Sequence, residues 1–237
     1  NADASTNNFL VTPNGDVGPK PFSPYFGGNY SFFTDSVSNY LQIPSNAGLA
    51  IGTSDFCIEY WVYPTSTTNR VITWAAANCP IMYMEPDQTL QFANYGISSV
   101  LQSTAKIPLN QWTHCAVSRA SGVNRMFING ALVATTTNTQ NWGQANVNIG
   151  VDISSNSANG YISNLRVVKG SPVYTAAFTP PTEPLRNIPN TILLTCQSNR
   201  FIDNSTANSG SGFAITVVGT PRITDNSPFV STDFTTG

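Results

Sequence analysis

Acid–base catalysis needs carboxylates in pairs, and this chain is short of them. It has three glutamates, Glu59, Glu85 and Glu183. Glycoside hydrolysis asks for two carboxyl groups, one as acid and one as base or nucleophile. Glu85-Pro86-Asp87 starts an E-x-D-x-x-E pattern, but Thr89 and Leu90 stand where it should continue. Pro86 also disfavours a regular central strand there. The lone His114 sits beside Trp112 in a strand-like run, with no serine or cysteine nucleophile motif to serve. It has no catalytic partner in that run. Cys57, Cys79, Cys115 and Cys196 are too widely spaced for a zinc set. Three of them lie inside apolar runs, as small buried hydrophobes would, with one or two disulfides as the alternative. These residues predict a protein that is not an enzyme.

Binding chemistry is better represented. A sugar needs an aromatic platform for its apolar face, ringed by amides and hydroxyls. Trp142 lies in the polar run Asn138-Thr139-Gln140-Asn141-Trp142-Gly143-Gln144, where no periodicity calls for a large aromatic. Tyr95, next to Asn94 and Gly96, is similar. Trp142, Tyr95 and Asn94 are therefore the candidate ligand contacts, with packing under the loop as the first reading of Trp142. Trp61, Trp74 and Trp112 follow strand patterns and read as core.

Charge excludes other partners. Only 9% of residues are charged, against about 25% in a typical soluble domain. The net charge is −2 and the few cations are scattered, so there is no basic footprint for nucleic acid or an anionic membrane. No apolar run approaches the roughly 20 residues of a membrane span. A surface this poor in ions suits docking to another neutral protein, because few charges need desolvating.

The elements that must position these residues are strands. Apolar residues recur at period 2 in short runs punctuated by Gly, Pro, Asn and Ser, the pattern of an all-β sandwich or barrel, and the fold expected of the chain is an antiparallel two-sheet sandwich. In Phe56 to Tyr63, the residues Phe56, Ile58, Tyr60 and Val62 share one face, and Pro64 ends the run. Further strands are expected at Val71 to Ala76, Ile81 to Met84, Leu90 to Ala93, Val100 to Ser103 and Trp112 to Arg119. Asn129-Gly130 between two apolar runs predicts a type I′ hairpin, both positions needing positive φ. Val147 to Val151, Tyr161 to Val168, Ile192 to Cys196 and Phe213 to Val218 bring the count to roughly a dozen. Residues 170–189 hold five prolines and must run over the surface without regular structure.

The chain also repeats itself. Asp3-Ala4-Ser5-Thr6 matches Asp203-Asn204-Ser205-Thr206, and Phe9-Leu10-Val11-Thr12 matches Phe213-Ala214-Ile215-Thr216. Gly15 matches Gly219, and Ser23-Pro24-Tyr25 matches Ser227-Pro228-Phe229. From Phe9 onward the separation is constant: 213 against 9, 219 against 15 and 227 against 23 all differ by 204. A period that long means a repeated domain rather than a solenoid. Residues 1–29 are expected to be the closing strand and connector of a preceding repeat, packed on the main domain. Residues 30–190 would then form the sandwich, and 191–237 its closing strands and second connector.

Several segments together resemble the laminin-G-like, concanavalin A-like lectin/glucanase superfamily. They are Asp55-Phe56-Cys57-Ile58-Glu59-Tyr60-Trp61-Val62, Trp112 to Arg119 followed by Phe127-Ile128-Asn129-Gly130, and Asn148-Ile149-Gly150 with Gly160 to Val167. Lys169 to Pro181 and the run from Leu193 to Ser205 resemble connectors of tandem modules in cyanophage and marine phage virion proteins. The resemblance implies a jelly roll on the surface of a phage particle, in a tail or capsid fibre or appendage. Its partners would be other virion subunits or copies of itself, with host cell-surface glycans a further partner. A secreted or cell-surface bacterial adhesin is the alternative, and a glycoside hydrolase ranks last. The family often holds calcium at the sandwich rim, and Asp152, facing an Asn/Ser loop, is the matching candidate ligand; no other cofactor is implied.

Overall fold

The structure is a computed structural model that describes residues 29–67, 69–94, 98–152, 154 and 156–229. Two antiparallel sheets face one another across an apolar core. The first is built from β3 (Phe56–Pro64), β8 (Thr113–Ala120), β9 (Val123–Ile128), β10 (Ala131–Thr137), β12 (Gly160–Lys169), β1 (Ser31–Thr34), β13 (Thr191–Thr195) and β15 (Arg222–Thr224). Its order is β10-β9-β8-β3-β12-β1-β15, with β13 also paired to β12. The second runs β14 (Thr216–Val218), β2 (Tyr40–Ile43), β11 (Val147–Ile149), β4 (Asn69–Trp74), β5 (Pro80–Met84), β6 (Thr89–Asn94) and β7 (Ser98–Lys106). The period-2 runs are strands of a sandwich, in the jelly-roll form that the family resemblance implied.

Alternation decides which side chains fill the core. Phe56, Ile58, Tyr60 and Val62 of β3 point inward and meet Cys115 and Val117 of β8. Phe92 of β6 packs on Phe56 at 5.9 Å between ring centroids. The β9–β10 hairpin turns through Asn129 (φ 47°) and Gly130 (φ 76°), as the Asn-Gly signal requires. All four cysteines are buried and free. Residues 170–189 form no strand and lie across the outer face of the first sheet, where Tyr174 stacks on Phe178 at 3.6 Å. Three short strands carried no sequence signal: β1, β2 and β15. Residues 1–28, where the first copy of the repeat falls, lie outside the described residues.

Two β-bulges break the alternation and re-aim an arginine each. In β12, Ser163 pairs with Trp61 and Arg166 with Glu59, so one residue is extra. Asn164 takes the left-handed φ of 52° that asparagine tolerates. Past it, Leu165 turns into the core and Arg166 faces outward beside Glu59. In β4, Arg70 pairs with Tyr83 while Ile72 pairs with Met82. The extra residue puts Ile72 in the core and Arg70 on the outer face of the second sheet.

Candidate functional site

The outer face of the first sheet carries the most concentrated ionisable cluster, and it is closed. Glu59 is fully buried. Its Oε1 accepts from Arg166 Nε at 2.9 Å and Nη2 at 2.6 Å. Its Oε2 accepts from the Tyr174 hydroxyl at 2.9 Å and lies 3.2 Å from His114 Nε2. Burial pushes the Glu59 carboxyl up, but hydrogen bonding by His114 and the Arg166 guanidinium outweigh it and hold the carboxyl below its ordinary range. Tyr174 is pushed up by burial and by the Glu59 charge. The proline-rich strap seals the cluster: Tyr174 and Phe178 stand edge-on to His114 at 6.3 and 5.7 Å. His114 is buried in this cluster, and Glu59 is the hub it serves.

The second sheet offers an open site. A hollow of about 420 Å³ lies on its outer face, at the end where β5, β6 and β7 meet the loop after β11. Its walls are Arg70, Ile81, Tyr83, Ala93, Asn94, Ser98 and Ser99 from the strands, with Asp152, Ser154 and Asn156 from the loop. The Arg70 guanidinium lies 4.0 Å over the Tyr83 ring and donates from Nε to Asp152 at 3.0 Å. Burial, then the nearby Glu85 carboxylate, push the Tyr83 hydroxyl up to about 12, so it stays a protonated donor at neutral pH. Two polar atoms at the hollow have no partner among the described residues: Arg70 Nη1, a donor, and Asn94 Oδ1, an acceptor. Both atoms are themselves buried, so they lie behind the wall of the hollow and not free on its surface.

The expected site residues divide here. Asn94 and Asp152 come together in this hollow, although β6 and the loop after β11 are far apart in sequence. Tyr95 lies outside the described residues. Trp142 does not serve as a platform: it is 2% exposed, pinned by a bridge to Gly52, with its ring 5.2 Å from Phe92. The polar loop around it is only a lip, and the indole plugs the gap beneath. Trp74 is core, as expected, but Trp61 and Trp112 are half-buried on the outer face of the first sheet. There Tyr161 lies within 5.6 Å of Tyr63 and 6.4 Å of Trp112.

Asp152 does not fit calcium. Its Oδ1 accepts the backbone N–H groups of Ser154 (2.8 Å) and Asn156 (2.9 Å). Its Oδ2 accepts from Asn156 Nδ2 (2.9 Å) and Arg70 Nε (3.0 Å). Four N–H donors already converge on the carboxylate, and a hard cation would need oxygens there instead. Arg70 supplies the positive charge. Among the described residues no group of three His, Cys, Asp or Glu side chains could hold a metal ion. Arg70 and Tyr83 were missed from the sequence because the β4 bulge, which aims Arg70 outward, leaves no trace in residue pattern.

A two-sheet antiparallel jelly roll is the fold of the concanavalin A-like lectin/glucanase superfamily. The laminin-G model described as "Concanavalin A-like lectin/glucanases superfamily" matches residues 35–172, more than half the chain, and the chain belongs to that family. Among solved structures it is similar to a heptameric SAP-like pentraxin of Limulus polyphemus, at 16% identity and a TM-score of 0.53, covering 82% of this chain and 93% of the other. It is also similar to a protein of Bacteroides ovatus assigned as carbohydrate binding, at 14% identity and a TM-score of 0.55, covering 83% of this chain and 62% of the other. A third likeness is domain 4 of an extracellular arabinanase of Geobacillus stearothermophilus, solved with arabinotriose, at 23% identity and a TM-score of 0.45, covering 56% and 68%. Comparison with curated proteins finds no match. Among the described residues no helix is long and apolar enough to cross a membrane.

Proposed function

We propose that this chain is a non-enzymatic structural module of a phage particle, part of a tail or capsid fibre or appendage, that contacts neutral glycans through the hollow on its second sheet. The observation that carries the glycan reading is the polar wall of one open hollow, made by Asn94, Asn156, Tyr83 and three serines, Ser98, Ser99 and Ser154. The charge of Arg70 is already matched by Asp152, so the site favours an uncharged hydroxyl-rich ligand over an anionic one. The carbohydrate-binding assignment of the Bacteroides ovatus neighbour agrees in kind. The non-enzymatic reading is supported by the sequence, which supplies no second carboxylate to complete the pattern begun by Glu85-Pro86-Asp87.

The virion setting rests on the connector-like segments Lys169 to Pro181 and Leu193 to Ser205 and on the domain-length repeat. A charge-poor surface suits packing among neighbouring subunits. A glycan array with the purified chain tests the binding reading: neutral glycans that lose signal on Asn94→Ala support it, and a flat array removes it. Turnover of a β-glucan panel would overturn the non-enzymatic part, and immunogold labelling of phage particles tests the setting.

A further inference from the structure

The hollow on the second sheet sorts its groups by chemistry as well as by place. Strand register sets two neighbouring rows on the outer face. In one, Ile81 stands opposite Ala93, and Ala93 opposite Ser99. In the other, Arg70 stands opposite Tyr83. Ile81 and Ala93 are only 4% and 6% exposed, yet neither belongs to the core between the sheets. Both line the hollow, and together they make its floor apolar.

The polar groups around this floor divide into two sides. On the strand side, Arg70 is held over the Tyr83 ring, spends Nε on Asp152 and keeps Nη1 behind the wall. That leaves Nη2 as its donor toward the hollow. Asn94 buries Oδ1, so Nδ2, again a donor, is the end it can offer. On the loop side, Asp152 has nothing to give, because four N–H donors already fill its two oxygens. Asn156 gives Nδ2 to that carboxylate, which leaves Oδ1 as an acceptor for a ligand. Donors thus face an acceptor across an apolar floor.

A plain hexose meets this arrangement poorly. Its hydroxyls suit the two polar sides, but one of them would be stranded on the methyl groups of Ile81 and Ala93. An acetamido group matches all three parts. Its carbonyl accepts from Arg70 Nη2 and Asn94 Nδ2, its N–H donates to Asn156 Oδ1, and its methyl covers the floor. It is also uncharged, which suits a guanidinium already matched by Asp152. The hollow, at about 420 Å³, is near the lower end of the roughly 300–1,000 Å³ of ligand pockets, a seat for a single substituted ring rather than a long chain.

We propose, resting on the glycan reading of the same hollow, that it selects N-acetylated amino sugars over plain hexoses, with the acetamido group between the strand donors and Asn156. The test follows amide shifts of the ¹⁵N-labelled full chain during titration with methyl glycosides in two matched pairs. These are N-acetylglucosamine against glucose and N-acetylgalactosamine against galactose, which differ within each pair only by acetamido for hydroxyl at C2. At least one acetylated sugar should bind about tenfold tighter than its partner or better, the scale of one added apolar contact, with shifts centred on Ala93, Asn94 and Asn156. Ala93→Ser, which puts a hydroxyl into the floor, should bring that ratio to about threefold or less. Ile81→Thr should do the same and serves if Ala93→Ser does not fold. Equal binding within both pairs at the hollow, or tighter binding of the plain sugars there, overturns the inference and leaves the glycan reading standing. Acetylated sugars whose shifts centre elsewhere, a ratio that neither floor variant moves, or no binding by any of the four overturn it too. The glycan reading itself falls only with a flat array.

Discussion

Replacing Glu59 by Gln should unfold the outer face of the first sheet from its centre. The carboxylate accepts from the Arg166 guanidinium at two positions and from Tyr174, with His114 Nε2 3.2 Å away. A carboxamide keeps the volume but turns one acceptor into a donor, which must then face Arg166, Tyr174 or His114. It also leaves Arg166, whose side chain is 7% exposed, without a counter-charge. Breaking a buried pair this way costs about 3–5 kcal/mol. At about 2–4 °C per kcal/mol for a chain of this size, Tm should fall by about 6–20 °C in a thermal melt followed by circular dichroism. The folded carboxyl is held below its ordinary 4.5, so its contribution is fully present above that pH and is lost as pH falls through the lowered folded value. The parent should therefore lose stability in the acid range below 4.5 more steeply than Glu59→Gln. The double variant Glu59→Gln/Arg166→Met, which removes the stranded cation as well, should recover part of the loss. A Glu59→Gln protein that melts within about 2 °C of the parent with the same acid slope would refute the reasoning.

Three other outcomes follow from named contacts. Calcium at about 5 mM, saturating for an extracellular-type site, should leave the Tm of the parent unchanged relative to a chelator, because Arg70 already serves Asp152; a calcium-dependent rise would show that the loop opens to the ion. Trp142→Ala should lower stability by about 3–5 kcal/mol through the cavity left beside Phe92, measured by urea denaturation, and a stable variant that only loses glycan would restore Trp142 as a platform. Gly130→Val should cost about 1–3 kcal/mol or more, since its φ of 76° is left-handed and a Cβ would strike the Phe178 carbonyl of the strap; unchanged melting would mean that the strap does not press on the hairpin.

Much of the scaffold was legible because its signals are local. The alternation of Phe56, Ile58, Tyr60 and Val62 names the inner face of β3 without reference to any partner, and Asn129-Gly130 names the turn between β9 and β10. The prolines of 170–189 exclude a strand by chemistry alone. The short strands β1, β2 and β15 were not legible, because three or four residues carry no period and exist as strands only through neighbours distant in sequence. The site was half legible. Asn94 and Asp152 could be named by residue type and loop context, but nothing in the sequence says that they share a hollow. Arg70 and Arg166 owe their directions to single extra residues at bulges, and a bulge erases the very period used to read faces. Trp142 carried two readings, packing and ligand contact, because a polar sequence context does not report what lies beneath a loop; its burial agrees with packing.

The claim that the hollow is the ligand site is tested most directly by titrating ¹⁵N-labelled protein with neutral oligosaccharides and mapping the amide shifts. They should centre on Arg70, Asn94, Ser99 and Asn156. Asn94→Ala should weaken binding roughly five- to 150-fold, the worth of about 1–3 kcal/mol for stranding a buried partner. Shifts centred instead on Trp112, Tyr63 and Tyr161 would contradict the assignment, as would a panel in which no neutral oligosaccharide moves any amide of the hollow.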